Sequence, residues 1–159
     1  MAHIQQMLQA NPSELAVDAE TLAECIEACL DCIQSCTACA DACLGEDDPK
    51  SLARCIRLNL DCADLCEATS RVLSRQTAFE PGMAQGLVQA CIRACEVCAD
   101  ECESHADHHD HCRLCAEACS RCESSCKNLL SAIDAGTGEQ SRASEQGLHP
   151  QEPAEGGRD

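Results

Sequence analysis

A chain of 159 residues is sized for one domain, yet with a single phenylalanine and neither tryptophan nor tyrosine it lacks the rings that usually fill a core. The net charge of −17 excludes nucleic acid and an anionic membrane surface as partners and favours cations. No apolar run approaches the length that spans a bilayer, so no membrane segment is expected.

Residues 2–10 predict a short helix that stops before Asn11-Pro12. Asn11 can cap the next helix, with Pro12 at its first position and Glu14 as the capping-box acid; the alternative start lies near Asp18. That helix carries Cys25, Cys29, Cys32, Cys36, Cys39 and Cys43, in alternating steps of four and three. An α-helix returns to one face at this interval, so six thiols share the stripe where a bundle normally keeps Leu or Ile. Leu15 and Leu22 continue the stripe backwards, and Gly45 closes the helix. Asp48-Pro49 opens a second helix running to about Arg75, with the seam Leu52, Cys55, Asn59, Cys62, Cys66, Thr69 and Leu73. Pro81-Gly82 is read as a break, after which a third helix carries Met83, Leu87, Cys91, Cys95, Cys98, Cys102 and His105. The turn SHADHHDH follows. Asp107 is the expected cap of a fourth helix, with the seam His108, Cys112, Cys115, Cys119, Cys122, Cys126, Leu129 and Ile133. Past Ala135 the Gly, Pro, Ser and Glu composition is aperiodic and predicts a disordered tail. The expected organisation is an N-terminal arm at 1–11, a bundle at 12–134 and a tail at 135–159, with His3 and His149 incidental.

Four helices joined by short turns predict an all-α, antiparallel up-down-up-down bundle with a cysteine-lined core. That topology brings Cys43, Cys55, Cys102, Cys112, His105 and His108 to one end. Leu15, Leu22, Leu73, Met83, Leu87, Leu129 and Ile133 gather at the other. A tube lined with sulfur results, plugged at one end and ringed by histidine at its opening.

Cysteine this abundant marks a disulfide scaffold in a short secreted chain. The N-terminus MAHIQQMLQANPSE has no basic n-region, apolar h-region or twin arginine, so a reducing cytosol is the expected compartment. A bridge within one helical face would also be strained. Packing alone does not account for the pattern either, because larger aliphatics bury more apolar area than cysteine. Thiolates instead select soft metals: Cu(I), zinc or iron–sulfur clusters.

Charge separates these metals. Buried thiolates need matching cations, and a monovalent ion at about one per thiolate neutralises the tube, whereas a divalent ion among four thiolates leaves each site doubly negative. Eight CxxxC pairs lie in phase on the four helices, and each supplies two adjacent sulfurs to a Cu(I) ion. Iron–sulfur ligands usually come from irregularly spaced loops instead. His105 and His108 continue cysteine stripes and are candidate ligands or transfer sites at the opening; His109 and His111 read as a solvated turn. Asp107 and Asp110 either attract cations or cap a helix. Asn59 either donates its carbonyl oxygen to a metal or sets helix register. A second apolar stripe, Ile26, Leu30 and Ile33 with Ile56, Leu60, Val88 and Ile92, packs laterally or is buried in an oligomer.

On the in-phase CxxxC pairs and the run SHADHHDHCRLCAEACSRCESSC, residues 12 to 134 resemble the cytosolic copper storage proteins of bacteria. The resemblance implies homotetramers, a bundle folded without metal, and copper uptake through the histidine-bearing end. The function expected is high-capacity storage of multiple Cu(I) ions without catalysis, with a copper chaperone or chelator as a possible exchange partner. The alternatives are zinc or mixed soft-metal buffering by the same thiolates, and a thiol redox sensor, which needs an exposed low-pKa cysteine with a resolving partner.

Overall fold

The computed structural model describes residues 2–147. Among them the elements are α1 (Ala2–Gln9), α2 (Ala19–Leu44), a 3-10 turn (Pro49–Leu52), α3 (Ala53–Leu73), α4 (Pro81–Ser104) and α5 (Asp110–Gln146). Helices α2 to α5 form the antiparallel bundle: each packs against two neighbours in the ring α2, α3, α4, α5, and α1 lies against α2. The expected all-α bundle with an extra N-terminal helix is present.

Local chemistry decides the helix boundaries. Helix α2 starts at the later of the two candidate positions, where Asp18 caps it by accepting from the Thr21 N–H at 2.9 Å. Asn11 caps no helix; its Oδ1 accepts from the Ser13 N–H at 2.9 Å, closing a short turn. The segment between α1 and α2 is held by Gln76, buried beneath it, whose Oε1 accepts from the Ala16 N–H at 3.0 Å. Asp48-Pro49 begins a 3-10 turn rather than α3 itself, and Asp48 makes no side-chain cap.

Three expectations are corrected. Pro81-Gly82 does not break the chain: Pro81 is the first residue of α4, whose N-cap Glu80 accepts from the Gly82 and Met83 N–H groups at 3.2 and 2.7 Å. The reversal lies in residues 74–80, where Ala78 takes a left-handed φ of 53°. Helix α5 starts at Asp110, with His109 rather than Asp107 at the N-cap. It also runs past Ala135 to Gln146 as a largely exposed helix through Gly136 and Gly138, so residues 135–146 are not irregular. The expected tail from residue 148 on, including His149, lies outside the described residues.

The core divides as the sequence predicts, except for a change of register in α4 and for Leu15, which lies before α2 and packs half-buried against the core instead of continuing its stripe. Leu22, Leu73, Leu129 and Val88 are fully buried and Ile133 nearly so, forming the apolar plug. Met83 is exposed and Leu87 half-buried, whereas Ala84 and Val88 face inward. Carrying the α4 stripe back from Cys91 in steps of three and then four reaches Val88 and Ala84; two consecutive steps of four drift off the face. Of the lateral stripe, Val88 belongs to the core seam instead and Ile26 is buried, while Leu30 and Leu60 stay exposed.

Candidate metal centre

Four helix faces build this centre: α2 contributes six thiols, α3 three with Asn59 between them, α4 four and α5 five. All are free, and none is more than 1% exposed. Starting at the plug, Cys25 Sγ lies 3.7 Å from Cys126, Cys126 3.9 Å from Cys91, and Cys91 3.7 Å from Cys66. Cys66 is 3.8 Å from Cys122, which lies 3.7 Å from Cys29. The ladder continues from Cys66 to Cys95 at 4.0 Å, to Cys62 at 3.8 Å and to Cys32 at 3.7 Å. Cys32, Cys36 and Cys119 form a triangle with edges of 3.6 to 3.7 Å, and Cys36 reaches Cys98 at 3.9 Å and Cys115 at 3.7 Å. A disulfide would need about 2 Å between sulfurs. The observed gaps are contacts between separate thiols, close enough for two sulfurs at about 2.3 Å each from one metal in a bent arrangement.

Asn59, fully buried, stands where the ladder meets the opening. Its Oδ1 accepts from the thiols of Cys115, Cys98 and Cys102 at 3.0, 3.2 and 3.7 Å, and its Nδ2 donates to Cys55 Sγ at 3.5 Å. Cys55 and Cys102 lie 3.7 Å apart. The carbonyl therefore points at thiols from two other helices, α4 and α5.

At the open end, His111 Nδ1 is 3.4 Å from Cys39 Sγ and 3.6 Å from Cys112 Sγ, and those sulfurs are 3.9 Å apart. Cys43 joins them in a group of four donor atoms within 4.8 Å of one another. On the outer side of the ring, His111 Nε2 donates to Glu46 Oε1 at 2.9 Å, and His109 Nδ1 meets the same oxygen at 3.1 Å, the two rings stacking 5.4 Å apart. The His111 hydrogen bond holds the Glu46 carboxyl below its ordinary range.

The structure therefore redistributes the candidate histidines. The predicted position of His108 on the α5 stripe is not met: α5 starts only at Asp110, so His108 sits exposed in the preceding turn, its backbone N–H bonded to the His105 carbonyl at 3.1 Å. His105, at the C-cap of α4, turns its Nε2 to Glu101 Oε1 at 3.2 Å. His111, read from the sequence as solvated, is the histidine brought to the thiols. The missed signal was its place four residues before Cys115, in the first turn of the helix.

Several four-donor groups overlap. Cys66 and Cys122 belong both to the set with Cys29 and Cys91 and to the set with Cys32 and Cys95; Cys36 and Cys119 belong both to the set with Cys32 and Cys62 and to the set with Cys98 and Cys115. Sharing of sulfurs sets the electrostatics too. A thiolate is held by neighbouring S–H donors, so hydrogen bonds from Cys126 and Cys29 draw Cys25 down to about 5. The donors are held up in turn, as Cys36 is by Cys115, Cys119 and Cys32. At Cys43 and Cys112 burial dominates, pushing Cys43 up to about 11 and raising Cys112.

A raised thiol pKa means that the folded state holds its proton more tightly than the unfolded chain does. The contribution of Cys43 is complete below the ordinary thiol value of 9.0 and is lost as pH rises through about 11. The reduced, metal-free protein should accordingly melt at progressively lower temperature between those pH values, followed by circular dichroism. A flat profile would mean that the mouth thiols are not desolvated.

A family model described as copper storage protein matches residues 18–131. The chain belongs to the copper storage protein family. Among solved structures, the copper storage protein Ccsp of Streptomyces lividans loaded with 10 copper equivalents is 49% identical, with a TM-score of 0.80 over 81% of this chain and 98% of that one. A five-copper form of the cytosolic copper storage protein from the same organism is 53% identical, with a TM-score of 0.70 over 70% and 93% of the two chains. Copper storage protein 3 of Bacillus subtilis, in its apo form, is 36% identical, with a TM-score of 0.57 over 67% and 96%. A search of curated proteins finds no match. The matched residues run from the Asp18 cap of α2 into α5 as far as Ser131, and include every thiol of the ladder.

Proposed function

We propose that Cu(I) is taken up at the mouth formed by His111, Cys39, Cys43 and Cys112 and is stored along the thiolates of the tube, from Cys55 and Cys102 down to Cys25 and Cys126. The function is high-capacity copper storage, a binding role without turnover. The overlap of donor groups carries this reading. Isolated tetrahedral zinc sites take four thiolates each, and Cys32, Cys36, Cys66, Cys119 and Cys122 each belong to more than one group, so the groups cannot all be filled as separate zinc sites. A monovalent ion that accepts two or three sulfurs fits a ladder of shared ones and balances its charge. At about one ion per thiol, each thiol gives up its single proton once, however many ions share its sulfur, and those protons leave to solvent. Asn59 is placed to lend its carbonyl oxygen where the ladder meets the mouth.

Burial of every thiol disfavours a redox sensor, which needs an accessible thiolate. The cytosol is the compartment assigned, as for the cytosolic Streptomyces relative. Exposed Leu30, Leu60 and Leu114 on three bundle helices support self-association into the tetramer that the family resemblance implies. A copper carrier or small chelator is the exchange partner proposed at the mouth.

The test is anaerobic titration of the reduced protein with Cu(I) and separately with Zn(II), each against a competing chelator. Cu(I) should bind to about one ion per thiol, with zinc saturating at about one per four. Zinc bound as tightly and to the same capacity, or a Cu(I) capacity of only two or three ions, would overturn the storage reading.

A further inference from the structure

The carboxylate of Glu46 joins the two chain connections at the open end. It lies just past the α2 C-cap Gly45, and its own N–H donates to the Cys43 carbonyl at 3.3 Å, which fixes its backbone beside a mouth thiol. From there its Oε1 meets Nε2 of His111 at 2.9 Å and Nδ1 of His109 at 3.1 Å, both across from the other connection. An ionised carboxylate only accepts hydrogen bonds, so each nitrogen facing it must carry the hydrogen. A neutral imidazole has one N–H. With Nε2–H committed to Glu46, His111 keeps a bare lone pair on Nδ1, and Nδ1 is the atom 3.4 Å from Cys39 and 3.6 Å from Cys112.

We propose that Glu46 is the positioning residue of the mouth: by holding Nε2–H of His111 it orients the ring and keeps Nδ1 unprotonated toward Cys39 and Cys112, ready to take the arriving soft cation with them. A hydrogen-bonded carboxylate behind a ligating imidazole fixes tautomer and ring orientation and raises ligand basicity. Without it, Nδ1 can carry the proton and donate to a mouth thiolate, closing off both donors that the ion needs. His109 takes the opposite tautomer from the same oxygen, and its ring stacks on that of His111 at 5.4 Å, limiting rotation. The bulk store does not depend on Glu46, because the ladder thiols below the mouth lie on other contacts.

This inference rests on the mouth being the site of uptake, so the experiment separates the two. Glu46→Ala, Glu46→Gln and His111→Ala are compared with the unaltered protein by long-range 15N–1H correlation of the histidine rings in the metal-free state, by stopped-flow uptake of the first Cu(I) equivalents from a chelator, and by final capacity. In the unaltered protein His111 should show a single Nε2–H form. Glu46→Ala should replace it with a mixed pattern and slow early uptake roughly tenfold at unchanged capacity. Glu46→Gln, whose amide oxygen still accepts, should restore most of the tautomer and most of the rate. An unchanged His111 pattern in Glu46→Ala overturns the proposal, as does a Glu46→Gln variant as slow as the alanine one, which would make charge alone the cause. Uptake at the normal rate in His111→Ala would instead overturn the mouth as the site of uptake, leaving the ring spectrum to decide the positioning role by itself.

Discussion

Leu129→Ala is expected to destabilise the metal-free protein by roughly 3 kcal/mol, the middle of the range for truncating a buried leucine. Leu129 is fully buried, one of the large aliphatic side chains of the plug with Leu22, Leu73, Val88 and Ile133, while the cysteine section of the tube is lined by small thiols. Cysteine contributes less apolar area per residue than leucine, so the plug carries a disproportionate share of the hydrophobic stabilisation. A loss of that size is a large fraction of the ~5–15 kcal/mol that holds a domain of this kind. Urea denaturation of the reduced protein measures it. A cost below about 1 kcal/mol would show that the sulfur-lined section holds the bundle together by itself. Saturating Cu(I) should recover the loss, because an ion bound only by the folded bundle stabilises it by mass action.

His111→Ala should slow uptake of the first Cu(I) equivalents by roughly ten- to a hundredfold, the range produced by disturbing the surroundings of a metal ligand. His108→Ala should leave the rate near that of the unaltered protein. The contrast follows from position: His111 Nδ1 lies 3.4 Å from a thiol, and His108 is exposed in the turn before α5. Final capacity should stay nearly constant in both, because the ladder below Asn59 does not involve either ring. Equal slowing by the two substitutions would assign uptake to the charge and polarity of the whole turn. A large fall in capacity in His111→Ala would make that ring part of the bulk store instead.

The difference between those two histidines shows where periodicity stops being a guide. Counting four back from Cys112 reaches His108 only if the chain is already helical there, and helix α5 begins at Asp110. Asp107 and Asp110 offer equally good local chemistry near a helix start, so the choice between them belongs to the turn as a whole, which reverses within residues 105–109 through backbone bonds from His108 and His109 to the His105 carbonyl. Met83 failed for a related reason: extrapolating a stripe outward multiplies any error in the step, and two fours in succession rotate a residue out of the core. Inside the cysteine segments the step is pinned by the thiols themselves, and every one of them is buried.

Sequence alone determined the helical class, the sulfur lining and its suitability for a soft metal, because in-phase spacing is a property of a single helix and needs no neighbour to be read, and the short turns between the helices determined the antiparallel bundle. The tertiary structure decided what depends on distance between helices. It alone shows that donor groups share sulfurs from one set to the next, that Asn59 Oδ1 faces thiols of α4 and α5, and that Glu46, 65 residues away in the chain, stands behind His111. Such contacts are fixed by the angle and register at which four helices and two turns close on one another, and no local pattern records that geometry.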